Sequence, residues 1–260
     1  TMVQYATLHN MDYIESLGID EGCMAVCRKQ GEIIPAIIRV TKPTGTVFPA
    51  PHVCPVCGHP LSKEEGTADI CCDNPSCPAQ LKRTLAYFAS RDAMDIKAFG
   101  STYVDTLVEE GYLHNYTDIY RLREHRDELI EKGIMGKEKN TDKILAAIEE
   151  SKHNSVDKFL TGLAIRNVGK ASAKEIMKHF ANLMELADAS VEQLTQIPDV
   201  GGITAECIHE YFADAENRKL LSEVAELGMN LESEQAAQGA ALAGLTIVVT
   251  GTLPTLGRKE

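Results

Sequence analysis

The chain has 260 residues, 44% of them hydrophobic and 25% charged, with a formal net charge of −12. That is apolar enough for one to three packed domains, and too acidic for nonspecific nucleic-acid binding as a bulk property, though a local basic face is still allowed. No apolar run reaches the roughly 18 residues of a membrane span, and TMVQYATLHN at the start lacks the basic-then-apolar pattern of a secretory signal.

Residues 1–49 read as β. CMAVCRKQGEIIPAIIRV holds two apolar runs around a turn at Gln30-Gly31, and Pro35 suits a strand edge. TKPTGTVFPAP follows as a linker rich in Pro and Gly. Residues 50–80 carry five cysteines, Cys54, Cys57, Cys71, Cys72 and Cys77. Seven of the eight cysteines in the chain precede residue 78. Clustering of this kind in a long chain without a signal points to metal in a reducing cytosol rather than to a disulfide scaffold. A tetrahedral site needs four ligands. With Cys72 the pattern is C-x2-C-x14-C-x4-C; with Cys71 it is C-x2-C-x13-C-x5-C. Strand alternation in TADICC decides between them. Ala68, Ile70 and Cys72 share one face, while Thr67, Asp69 and Cys71 share the polar one, so Cys72 is expected to join Cys54, Cys57 and Cys77 and Cys71 to face out. Four thiolates with no open position describe a structural zinc site. His52 and His59 are the nearby alternatives; Cys23 and Cys27 have ligand-like spacing but no matching second pair.

A helical stretch is expected from Ala79, and residues 81–230 are helical in pattern. They contain a repeat. IKAFGSTYVDTL (96–107), IRNVGKASAKEI (165–176) and IPDVGGITAECI (197–208) all read Ile-x-x-h-Gly-x-x-x-small-x-x-h, where h is apolar. A looser copy surrounds Gly136, with one residue inserted before Ile144. The pivotal glycines, Gly100, Gly136, Gly169 and Gly201, stand 36, 33 and 32 residues apart, which marks a repeated supersecondary unit. Two short helices joined by an apolar-Gly turn form a helix-hairpin-helix, whose second helix offers free N–H groups and a positive dipole end to phosphate. Such a hairpin holds DNA by its backbone without reading sequence. The candidate contacts are Gly136 and Lys137 in the second copy, and Arg166, Gly169, Lys170 and Lys174 in the third. In the fourth they are Gly201, Gly202 and Thr204, where Asp199, Glu206 and Glu210 replace the cations. Lys170, Lys174 and Lys178 are expected to line one helix face. Residues 231–243, LESEQAAQGAALA, read as a flexible linker, and GLTIVVTG after it as a buried strand.

Taken in order, these segments resemble the bacterial NAD-dependent DNA ligases. ATLHNMDYIESLGIDEGCMAVCRKQGEIIP resembles their oligonucleotide-binding (OB) barrel, CPVCGHPL…CCDNPSCPAQL their zinc finger, the four hairpins the domain that follows, and LAGLTIVVTGTLPTLGRKE the start of their BRCT domain. The resemblance implies a multidomain α+β protein: a partial OB-type β barrel (1–49), a small four-cysteine zinc finger (50–80), a mainly α helix-hairpin-helix domain (81–230), a linker (231–243) and a BRCT start (244–260) too short to fold alone. It also implies a reaction. A lysine of a preceding domain takes AMP from NAD, the AMP passes to the 5′-phosphate at a nick, and the 3′-hydroxyl displaces it with magnesium assisting. The Lys-x-Asp-Gly motif of that lysine does not occur in this sequence. The piece is therefore expected to be the DNA clamp of a bacterial cytoplasmic ligase, a monomer on nicked duplex DNA, holding structural Zn2+ itself and needing NAD+ and Mg2+ only in the intact enzyme. Arg28 and Lys29, beside the Gly31 turn, match the barrel positions that meet DNA in the family. The sequence departs from the family pattern at Ala98, where the first hairpin usually has a glycine, and in its irregular second hairpin. The alternative reading is a non-catalytic DNA-repair scaffold or nuclease subunit with the same hairpins. A dinucleotide-binding unit opening at TIVVTGTLPTLG is disfavoured, because Gly-x-Gly-x-x-Gly is missing.

Overall fold

The computed structural model describes residues 4–31, 33–46, 49–63, 67–74 and 77–233. The BRCT-like start at 244–260 and most of the expected linker lie outside them. The architecture is mixed α+β, with small antiparallel sheets, a cysteine cluster and a helical region. It divides into two compact units, Thr1–Leu81 and Lys82–Glu260.

The first unit opens with a helix in a segment whose sequence reads as β. Helix α1 spans Met11–Leu17. Asn10 caps it, its side chain accepting from the Tyr13 N–H, and Gly18 ends it in the left-handed conformation (φ 61°). Both are ordinary start and stop signals, but seven residues are too few for an apolar stripe to declare itself. The Tyr13 hydroxyl donates to the carbonyl of Ile37, tying α1 to the sheet. Strands β1 (Met24–Gln30) and β2 (Ile34–Lys42) pair antiparallel, with register shifts at Met24/Ala25 and Val26/Cys27. The first residues of the expected linker are tied down: Asp20 accepts from the N–H groups of Thr44 and Gly45 at 2.8 and 2.7 Å. A second, smaller sheet pairs β3 (Leu61–Lys63) with β4 (Ile70–Cys72).

The helical region runs from α2 (Pro78–Ala89) through α3 (Ser101–Glu109), α4 (Tyr116–Arg121), α5 (Arg126–Lys132), α6 (Glu138–Ser151), α7 (Val156–Gly162), α8 (Lys170–Ile176), α9 (Leu183–Ala187), α10 (Val191–Leu194), α11 (Gly202–Ala213) and α12 (Ala215–Glu226). The sequence repeat is also a packing repeat. Seven residues after each hairpin's N-cap stand Leu107, Ile144, Ile176 and Ile208, all fully buried, and four after it stand Val104, Thr141, Ala173 and Ala205, buried equally. The extra residue of the second copy is explained here. Its N-cap is Lys137 rather than the glycine, so the helix starts one residue later and Ile144 keeps its place. Phe88 of α2 stands between Tyr116 and Phe159, with ring centroids 4.8 and 5.7 Å away, and packs onto Gly162 of α7.

Residues 231–233, which read as the start of the linker, are packed instead. The Leu231 carbonyl accepts from Leu183, and Ser233 donates from its N–H to Ala181 and from its hydroxyl to Met177. Leu231 and Ser233 are buried, so the apolar and hydrogen-bonding demands of the helical region extend past α12. Among the described residues no helix is long and apolar enough to cross a membrane.

Candidate functional site

The metal site is built by two knuckles. In the first, the Gly58 N–H donates to the Cys54 carbonyl and the Cys54 N–H to the His59 carbonyl, which turns the chain so that Cys54 and Cys57 face one point. In the second, β4 delivers Cys72, and the Cys77 N–H donates to the Asn74 carbonyl just before α2 begins. The sulfurs of Cys54, Cys57, Cys72 and Cys77 lie within 4.8 Å of one another. A tetrahedron with Zn–S near 2.3 Å has S···S edges of about 3.8 Å, and Cys54–Cys77 and Cys57–Cys72 stand at 3.9 and 3.6 Å. The residues therefore fit the ion. The His59 backbone N–H, followed by the Asn74 side chain, pulls the Cys57 thiol down, while Cys72, despite a lowering Asn74 backbone hydrogen bond, is pushed up by desolvation and the neighbouring Cys57 and Cys54; without a metal the clustered thiols cannot all ionise. When bound, zinc neutralises the clustered thiolates and cross-links the two knuckles. Cys71 is exposed and outside the cluster, as are His52 and His59. Cys27 is exposed and Cys23 half-buried, neither belonging to a metal cluster among the described residues.

The hairpin glycines open helices. Gly100, Gly169 and Gly201 are the N-caps of α3, α8 and α11, and none of these helices has a side-chain cap. Helix α6, after Lys137, also lacks one. Helices α1, α4, α9, α10 and α12 are capped instead by Asn10, Asn115, Asn182, Ser190 and Asp214, while α5 and α7 also lack a side-chain cap. The hairpin starts thus keep first-turn N–H groups unclaimed by side-chain caps. A Cβ added at Gly100, Gly169, Gly201 or Gly202 would meet nothing within 4 Å. Packing inside the chain does not require glycine there. Gly136 differs: its φ is +88° and Asn140 lies 3.5 Å from its would-be Cβ.

The left-handed residue of three turns is not the pivotal glycine but the residue two before it: Ala98 (φ 62°), Asn167 (φ 63°) and Asp199 (φ 63°). Asn and Asp accept this conformation readily, so the sequence carries a signal for these turns that the glycine spacing does not weigh. Ala98 adopts it too, so the first hairpin turn forms without the glycine of the family pattern. The buried residues on either side, Ile96 and Phe99, over-determine it.

Around the third hairpin, Arg166, Lys170 and Lys174 are exposed. Lys170 Nζ stands 3.9 Å from Asp92 Oδ1. The lysine stripe is shorter than expected: α8 ends at Ile176, and Lys178, beyond it, pairs with Glu175 at 2.5 Å. In the fourth hairpin Gly201 and Gly202 are exposed and Thr204 half-buried. Ile203, which the repeat pattern does not single out, is 73% exposed. Arg28 and Lys29 are exposed on β1 before the Gly31 turn. Lys137 is exposed at the start of α6.

Family comparisons agree segment by segment. The NAD-dependent DNA ligase OB-fold domain matches residues 1–47, the NAD-dependent DNA ligase C4 zinc finger domain residues 53–79, and the helix-hairpin-helix motif residues 158–221. In these segments the chain is similar to the bacterial NAD-dependent DNA ligases. It is 43% identical over its whole length to a DNA ligase of Clostridium kluyveri, of which it covers 40%. It is 41% identical to one of Symbiobacterium thermophilum and 39% to one of Carboxydothermus hydrogenoformans, again over its whole length and covering 39% of each. The chain thus spans about two-fifths of the length of these relatives.

Proposed function

We propose that the chain is the duplex-binding portion of an NAD-dependent enzyme that seals nicks in DNA. One copy grips the sugar-phosphate backbone around a nick, in the bacterial cytoplasm, while the nucleotidyl chemistry, with its NAD+ and Mg2+, belongs to the rest of the ligase. The observation that carries this reading is the state of Gly100, Gly169 and Gly201. Each opens a helix without a side-chain cap, and a Cβ at each would meet no atom of the described residues within 4 Å. Glycine there is useless for internal packing, but it lets another backbone approach the N–H groups closely. Arg166, Lys170 and Lys174 add charge at the third hairpin, with Gly136 and Lys137 at the second, Gly201, Gly202 and Thr204 at the fourth, and Arg28 and Lys29 on the barrel segment. Main-chain donors to phosphate carry no base information, so binding is sequence-independent. Cys54, Cys57, Cys72 and Cys77 hold zinc and brace the finger without taking part in chemistry.

The test separates binding from folding. Gly169 has φ −93°, which any residue adopts, and open space at its Cβ. Gly169→Val is therefore expected to lower the melting temperature only slightly, through the poorer N-cap, while weakening binding to every duplex alike. Lys170→Ala and Lys174→Ala should each lower the salt slope of binding by about 0.9. Glu206→Ala should leave binding equal or slightly tighter. Unchanged affinity in Gly169→Val, or a loss that depends on sequence, would sink the hairpins' role as phosphate clamps.

A further inference from the structure

Each cysteine knuckle is closed by one residue acting through its backbone. In the first, the His59 carbonyl accepts from the Cys54 N–H at 2.7 Å, and the His59 N–H donates to the Cys57 sulfur. In the second, the Asn74 carbonyl accepts from the Cys77 N–H at 3.0 Å, and the Asn74 N–H donates to the Cys72 sulfur. These contacts are main-chain, so many residue types could make them. Asn74 does more. Its side-chain amide donates to the Cys57 sulfur, in the other knuckle. One half-buried residue thus touches Cys57, Cys72 and Cys77. Its side chain crosses between the knuckles where Cys57 and Cys72 stand 3.6 Å apart.

Charge explains why such a donor matters. Four thiolates around a divalent ion leave an excess of negative charge. Residues 50–80 hold one lysine, Lys63, against Glu64, Glu65, Asp69 and Asp73, and Lys63 pairs with Asp12 of α1 at 2.6 Å. The finger segment therefore offers its sulfurs neutral N–H donors rather than cations. A donor aimed at a thiolate favours the charged ligand and fixes its direction. Losing a contact of this kind typically costs about 10–100-fold in metal affinity.

We propose that Asn74 is a positioning residue of the zinc site. Its amide holds the Cys57 sulfur towards the other three and shares the excess negative charge, so that the chain binds zinc more tightly than four cysteines at this spacing would alone. The proposal rests on the four-cysteine zinc reading above.

The competing role for Asn74 is that of a turn former before Pro75, which aspartate fills as well as asparagine does. The two roles order the variants differently. A substitution at this position leaves both main-chain contacts in place, and Asn74 has no positive φ that would tie the position to asparagine. The test is competition for zinc between a chelating dye and the full 260-residue chain, with the thiolate-to-metal absorption of the cobalt-substituted chain alongside. Asn74→Ala should weaken zinc binding about 10–100-fold and shift the cobalt band. Asn74→Asp should weaken it further, because a carboxylate then faces a thiolate in place of an N–H. Both should keep the parent's far-UV helical melt. Parent-like affinity in Asn74→Asp, with Asn74→Ala weakened, makes Asn74 a turn former and overturns the proposal. Parent-like affinity in Asn74→Ala overturns it too, as does a loss of zinc that comes with a loss of the helical melt. A parent chain that takes up no zinc sinks the zinc reading itself.

Discussion

Two adjacent cysteines differ in exposure and in chemistry. Cys72 pairs across β3–β4 with Leu61, and Cys71 with Ser62. One residue of register moves every side chain of a strand to the other face, so Cys72 meets three other thiols while Cys71 meets solvent. Cys72→Ser is expected to release the zinc, and Cys71→Ser to keep about one zinc per chain; metal analysis of the two purified variants decides it. The reverse result would place β4 one residue out of register. The same logic of exposure separates the chain's glycines. Gly169 faces empty space, whereas a Cβ on Gly162 would lie 2.8 Å from Cδ2 of Phe88.

At the level of helices, that contact governs how α7 meets α2. Alanine at Gly162 would gain about 1 kcal/mol of helix propensity. Against this stands overpacking of about 1–3 kcal/mol in a site with no room to relax. Phe88 is fully buried and held between Tyr116 and Phe159, so it cannot yield. The clash wins: Gly162→Ala should lower the denaturation midpoint, and Gly162→Val should lower it further. A midpoint equal to the parent's would mean that the ring swings aside. Arginine plays the opposite part at helix ends. Arg218 donates to the carbonyls of Phe212 and Ala187 and to the carboxylate of Asp188, satisfying groups that α11 and α9 leave open.

For the whole molecule, the two compact units rest on different physics. The cysteine knuckles contain little apolar mass and depend on metal, whereas the helical region buries a continuous set of side chains from Leu85 to Leu231. Chelation is therefore expected to abolish the finger's ordered signals and leave the far-UV helical melt of residues 82–233 in place. Acid should do the same. Zinc needs thiolates, and protons compete for them. All four ligands must be thiolates in the loaded site, so falling pH favours protonation and loss of the metal. Zinc release followed by a metallochromic dye should thus rise on acidification, and release independent of pH would refute thiolate ligation. The net charge of −12 is compatible with the proposed DNA binding, because exposed cations stand at the second and third hairpins (Lys137, Arg166, Lys170 and Lys174).

Several features are legible in the chain alone because they are periodic or chemically rare. The four-cysteine spacing, the hairpin repeat and even the choice of Cys72 over Cys71 follow from patterns with a fixed step. Helix α1 is hidden from such a reading because seven residues carry no period, although its caps, Asn10 and Gly18, stand in plain view. The packed stretch 231–233 is hidden because polar, small residues look like a linker until the helical core claims their backbone groups. Only the tertiary structure decided which hairpin glycines face empty space and which glycine is wedged against Phe88. It alone brought Asp92 to Lys170, 78 positions away. The physical reason is that spacing along the chain encodes local geometry, while the meeting of distant charges depends on how whole helices pack.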